Sequence, residues 1–110
     1  MTRWFLLAAL LLPVTAHAQA LTYSNRSGAI TSGDAAQQLA PAWKARRGCL
    51  VQNHSPDDLW VRVTGGGATK AIPSLKIPTQ TTWYCPSPPP DSAISIIGPT
   101  SGQAFTAWEW

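Results

Sequence analysis

The sequence predicts a single all-β domain, a small sandwich or jelly-roll-like barrel closed by one disulfide. Three observations predict it. Short runs rich in β-branched and aromatic residues alternate apolar with polar positions, as strands with one buried face do. Turn residues separate these runs at intervals of about 8–12 residues, the spacing of sandwiches and barrels. Two cysteines, Cys49 and Cys85, lie in strand candidates of a chain whose first residues read as an export signal.

That signal has three parts. Arg3 supplies the positive start, Trp4 to Leu12 is an uncharged apolar run ended by Pro13, and Ala16-His17-Ala18 is a small-x-small cleavage site. The apolar run is shorter than the about 20 residues needed to cross a bilayer core. Residues 1–18 are therefore expected to be a secretory signal peptide, leaving residues 19–110 as one domain with no membrane segment, periplasmic or extracellular. A second site, Ala18-Gln19-Ala20, would start the mature chain at Leu21 instead of Gln19.

In chain order, Asp34 to Ala40 has helical propensity and an N-cap-like aspartate, but its position before the next strand favours a strand. Residues 47–54 form a strand candidate stopped by Ser55-Pro56-Asp57-Asp58, and Leu59 to Thr64 is another. In the latter Leu59, Val61 and Val63 alternate against Trp60, Arg62 and Thr64. The short connection predicts that these two strands form a hairpin. Gly65-Gly66-Gly67 breaks the ladder. Pro73 and Pro78 confine residues 72–78 to an edge or a short strand. Residues 80–85 read as a strand followed by the extended Pro86-Ser87-Pro88-Pro89-Pro90. Residues 93–97 and 103–109 read as the last two strands, around a turn at 98–102.

With Arg3 removed, seven basic residues face five acids, a net charge of +2. The cluster Lys44, Arg46 and Arg47 reads as a solvated loop, so no nucleic-acid partner is expected. An even cysteine count in an exported chain predicts a Cys49–Cys85 disulfide. Two cysteines and His54 do not make a zinc set, and no metal or cofactor is expected. His54, Asp57 and Asp58 crowd one turn around Pro56 without a matched nucleophile, and they read as turn residues. Gly65 to Lys70 lacks the spacing of a phosphate loop. Asn25-Arg26-Ser27 and Asn53-His54-Ser55 match the glycosylation sequon, a short pattern frequent by chance. No catalytic residue is predicted.

Five of the six tryptophans fall after residue 18, an anomaly for so short a chain. Trp60 and Trp83 are expected to pack near the disulfide. Trp108 and Trp110 share one face of the last strand and are the candidate interface, for a protein partner, for self-association or for carbohydrate. Phe105 and Ala107 are then expected to face the core.

The succession Gly28-Ala29-Ile30-Thr31, Ala36-Gln37, Arg46-Arg47-Gly48-Cys49-Leu50-Val51-Gln52-Asn53-His54-Ser55 and Asp58-Leu59-Trp60-Val61 resembles small β-rich proteins among tailed-phage and prophage virion genes. Residues 73–78, Ala93 to Gly98 and Gly102 to Ala107 with Glu109 continue the likeness over most of the mature chain. The resemblance implies a non-enzymatic structural or binding module, like the accessory virion proteins, and association with a virion. The chain departs from that pattern in its signal sequence, its cysteine pair and its Trp108-Glu109-Trp110 ending. The alternative expectation is a secreted carbohydrate- or surface-binding sandwich.

Overall fold

The structure, a computed structural model, describes residues 22–110. The expected signal peptide and both expected cleavage sites lie outside the described residues. The described residues form nine strands and no helix. The strands are β1 (Ser24–Asn25), β2 (Gly28–Ala29), β3 (Gln37–Ala40), β4 (Cys49–Asn53), β5 (Leu59–Arg62), β6 (Leu75–Ile77), β7 (Thr82–Tyr84), β8 (Ile94–Ile97) and β9 (Ala104–Glu109). They make two antiparallel sheets. One has the order β1-β9-β4-β7, with β2 also paired to β9, and the other has the order β3-β8-β5-β6. The result is a small all-β sandwich.

Alternation sorts each strand between core and surface. In β9, Phe105, Ala107 and Glu109 are buried, whereas Ala104 and Trp108 are exposed. In β4, Cys49, Val51 and Asn53 are buried. Opposite them, Leu59, Val61, Ile77, Ile94 and Ile96 fill the inner face of the four-stranded sheet, and the two faces form one apolar cluster with Ile30 and Leu39. All four residues of β8 are buried, and over the outward Ser95 the loop after β5 folds back. Ala68 in that loop is buried, and its amide donates to Ser95 Oγ at 2.8 Å. Gly65 and Gly66 take φ of 82° and 83°, so the glycine run serves a tight left-handed turn. β6 is an edge strand, and it is short, bounded by Pro73 and Pro78 on either side.

The disulfide joins Cys49 to Cys85 with Cα atoms 5.0 Å apart. It ties β4 to the segment following β7, beside a backbone hydrogen bond from Cys85 N to Cys49 O of 2.9 Å. Trp83 and Cys85 each pack against the core cluster that contains Cys49, whereas Trp60 does not. Trp60 lies on the other sheet, opposite Lys76 and Ile97.

Two expectations are corrected. β4 and β5 are not a hairpin, because β4 already has β9 on one side and β7 on the other. The chain crosses to the second sheet through a buried polar corner. Asn53 Nδ2 donates to the carbonyls of Asp57 and Ile77 at 2.8 and 3.0 Å, and its Oδ1 accepts from the amide and hydroxyl of Ser55. Gln103 Nε2 donates to Ser55 Oγ at 2.9 Å and to the carbonyls of Asp57 and Asp58. The corner satisfies its own backbone, so the turn can leave the sheet.

Arg46 is the second correction, for it is not solvated. The amides of Arg47 and Gly48 both donate to the Trp110 carbonyl, a two-against-one bulge at the start of β4. The extra residue shifts the alternation, so Arg47 is exposed and Arg46 points inward. There Arg46 Nε meets Glu109 Oε2 at 2.9 Å, and Arg26 holds Oε1 from the other side. The remaining Arg46 donors bind the carbonyls of Pro41, Pro90 and Ser92. One guanidinium thus pins the proline-rich segment and the end of β3 to β9.

Candidate functional site

Sheet alternation leaves the outer face of the five-stranded sheet open, and this face gathers the unexplained aromatic residues. Register fixes its layout. Trp108 on β9 stands opposite Leu50 on β4, and Leu50 stands opposite Tyr84 on β7. Asn25 on β1 extends the row beyond Trp108. The neighbouring row is Thr106, Gln52 and Thr82. Both rows lie on the side away from Val51, Phe105 and Ala107.

Tyr23 and Trp110 buttress one end. The ring of Tyr23 meets Trp108 edge-on, with centroids 6.3 Å apart, and meets Trp110 at 5.3 Å. Trp110 covers Gly48, where an added Cβ would fall within 2.5 Å of the indole. The absence of a side chain at Gly48 is what lets that ring lie flat on β4. Trp108 and Trp110 therefore share this face but differ in role, with Trp108 presented to solvent and Trp110 partly covered beneath Tyr23. Among the described residues five large apolar side chains are exposed, and three belong to this face: Tyr23 at 55%, Tyr84 at 65% and Trp108 at 45%.

The strand positions of this face carry no charge, although Arg47, exposed at the bulge beside Gly48 and Trp110, borders one end. The outward residues of β1, β9, β4 and β7 include no Asp, Glu, Lys or Arg. His54 lies at its margin, with Nε2 2.8 Å from Thr106 Oγ1. The outer side of the other sheet differs on both counts. It carries Arg62 and Lys76, and the glycine-rich loop partly covers it, with Gly66 packed on the Arg62 guanidinium.

The sequence-selected polar residues go three ways. His54 turns to Thr106, Asp57 accepts from the Thr100 hydroxyl at 3.1 Å, and Asp58 pairs with Lys76 at 3.1 Å. The structure does not gather them around a common point. Among the described residues no cluster of three His, Cys, Asp or Glu side chains could hold a metal ion. Asn53 of the second sequon is buried, and its amide is fully engaged. Asn25 is exposed, with Oδ1 accepting from the Ser27 amide at 3.0 Å.

Tyr84 and Tyr23 were not among the expected site residues. The signal for Tyr84 was present in the sequence, since core-facing positions at Trp83 and Cys85 leave only Tyr84 to point outward. No family model, curated protein or solved structure matches the chain. Among the described residues no helix is long and apolar enough to cross a membrane.

Proposed function

We propose that the protein is an exported, non-enzymatic binding module that attaches through the outer face of its five-stranded sheet. The observation that carries this reading is the cross-strand row Trp108, Leu50 and Tyr84, an open and uncharged aromatic strip on a rigid sheet. Exposed aromatic groups held by rigid elements are characteristic of contact surfaces, because they offer large area at small rotamer cost. The disulfide supports export to the periplasm or beyond the cell, where such bonds persist. The resemblance to accessory virion proteins of tailed phages and prophages supports a structural rather than catalytic part, one that docks on a larger assembly.

The test separates surface from core. The double variant Trp108→Ala with Tyr84→Ala is compared with the unaltered protein for co-sedimentation with the envelope of the cells that produce it. The expected result is that the unaltered protein sediments, while the variant stays in solution and melts within about 1 kcal/mol of the parent, as surface changes do. Equal sedimentation of both would refute the assignment of the face.

The lack of charge on the strip, together with the hydroxyl and amide row beside it, favours a second, narrower reading: attachment to carbohydrate.

A further inference from the structure

We propose that this face binds a neutral, extended β-1,4-linked glycan laid across the strands, with Trp108 and Tyr84 stacking on sugar rings one disaccharide repeat apart. The inference rests on the reading that the outer face of the five-stranded sheet is the contact surface.

Four observations on that face carry it. The first is spacing. Trp108 and Tyr84 flank Leu50 on adjacent strands, so their Cα atoms are two strand spacings apart, about 10 Å. In an extended β-1,4-linked chain each ring is flipped relative to its neighbour, so the disaccharide is the repeat and its length is close to that separation. Every second ring thus presents the same face. Two aromatic platforms at this spacing meet equivalent C–H faces, and the intervening ring passes over the shorter Leu50.

The second is the parallel row Thr106, Gln52 and Thr82, which sets two hydroxyls and an amide beside the aromatic strip. Those groups can donate to and accept from equatorial sugar hydroxyls along the same axis. The third is charge. The two rows themselves hold no ionised side chain, and the nearest cation, Arg47, stands at the bulge by Trp110 beyond them, so a neutral polyol lying along the rows leaves no charge desolvated.

The fourth is preorganisation of the strip. Its order is already established, since Trp108 is held by Tyr23 and Tyr23 rests on Trp110.

The test is a ¹H–¹⁵N titration of the disulfide-bonded protein with cellohexaose and with chitohexaose, both neutral and β-1,4-linked. Maltohexaose, which is α-linked and coiled, is the geometric control. Saturable shifts are expected at the Trp108 indole N–H and at the amides of Leu50, Gln52 and Tyr84 with at least one β-linked hexaose. Trp108→Ala and Tyr84→Ala should each weaken binding by about tenfold, and Trp108→Phe by less. Maltohexaose should bind at least about tenfold more weakly, since it cannot span both platforms. Unperturbed spectra with both β-linked hexaoses would overturn the glycan proposal. If in that case the double aromatic variant still loses envelope attachment, or breaks a dimer seen in sedimentation, the contact face stands and its partner is a protein. If attachment is also unchanged, both readings fall.

Discussion

Arg46→Met is the perturbation that most sharply tests how the fold is held. The Arg46 side chain has no exposed surface, and Glu109 beside it is 2% exposed. Methionine preserves most of the apolar stem but removes the charge and every donor. Glu109 Oε2 loses its partner at 2.9 Å, and the carbonyls of Pro41, Pro90 and Ser92 lose theirs. Breaking a buried pair by deleting one member costs about 3–5 kcal/mol, chiefly because the remaining charge stays buried. For a domain of this size, 1 kcal/mol moves the melting temperature by about 4–8 °C, so a fall of at least about 12 °C is expected. Arg26→Met is the control. Arg26 also pairs with Glu109, at 2.9 Å, but its side chain is 36% exposed and water can replace it, so about 1 kcal/mol is expected. Arg46→Lys should recover only part of the loss, because an ammonium cannot reach three carbonyls and a carboxylate in the planar fork that arginine offers. The assay is thermal unfolding by circular dichroism with the disulfide intact. A shift below about 4 °C for Arg46→Met, or an equal loss for Arg26→Met, would refute the assignment of Arg46 as the anchor of the proline-rich segment.

Cys85→Ser opens a crosslink spanning 36 residues. Chain-entropy reasoning gives a loss of about 3.8 kcal/mol, measured as a lower midpoint in urea, and unreduced protein should show no free thiol on alkylation before substitution. Phe105→Ala, a core truncation at 5% exposure, should cost about 3–5 kcal/mol by the same measurement, whereas Trp108→Ala should leave stability nearly unchanged. The reverse ranking would mean that the faces of β9 are inverted. Gly48→Ala should displace Trp110 and cost about 1–3 kcal/mol through overpacking, read as a red shift in tryptophan emission at a lowered melting temperature. Unchanged emission would show that the indole does not rest on Gly48.

The parts of the fold legible in the sequence are those set by local pattern. Leu59, Val61 and Val63 alternating against polar neighbours identify β5 and its inward face without any knowledge of its partners. Pro73 and Pro78 keep β6 short because proline cannot donate to a ladder and so bounds the paired stretch. Alternation says which face is buried, not which strand lies alongside, and this is where the hairpin expectation failed. Ser55-Pro56-Asp57-Asp58 has the composition of a hairpin turn. Its partners are Asn53 and Gln103, and Gln103 is 48 residues from Ser55 in sequence, so no local window contains the network that carries the chain across the sandwich.

Arg46 and Tyr84 show the same limit from opposite sides. Between Lys44 and Arg47 a cationic segment is ordinarily solvated, and only the bulge against Trp110 turns one of its three charges inward. That bulge depends on a register set by β9, at the far end of the chain. Tyr84 required no distant information. Once Cys85 is placed in the core by its bond to Cys49, Trp83 lies on the inner side opposite Val51 and Tyr84 must face out. The step from one exposed aromatic to a platform needs β4 as the shared neighbour of β9 and β7, because only then do Trp108 and Tyr84 fall in one row with Leu50 between them. The tryptophan-rich end of the chain supplies one half of the strip, and the disulfide fixes the strand that supplies the other. Loss of the Cys49–Cys85 bond should therefore loosen Tyr84 relative to Trp108, seen as faster amide hydrogen exchange at Tyr84 in Cys85→Ser than in the parent, and unchanged exchange there would show that the crosslink does not order this strand.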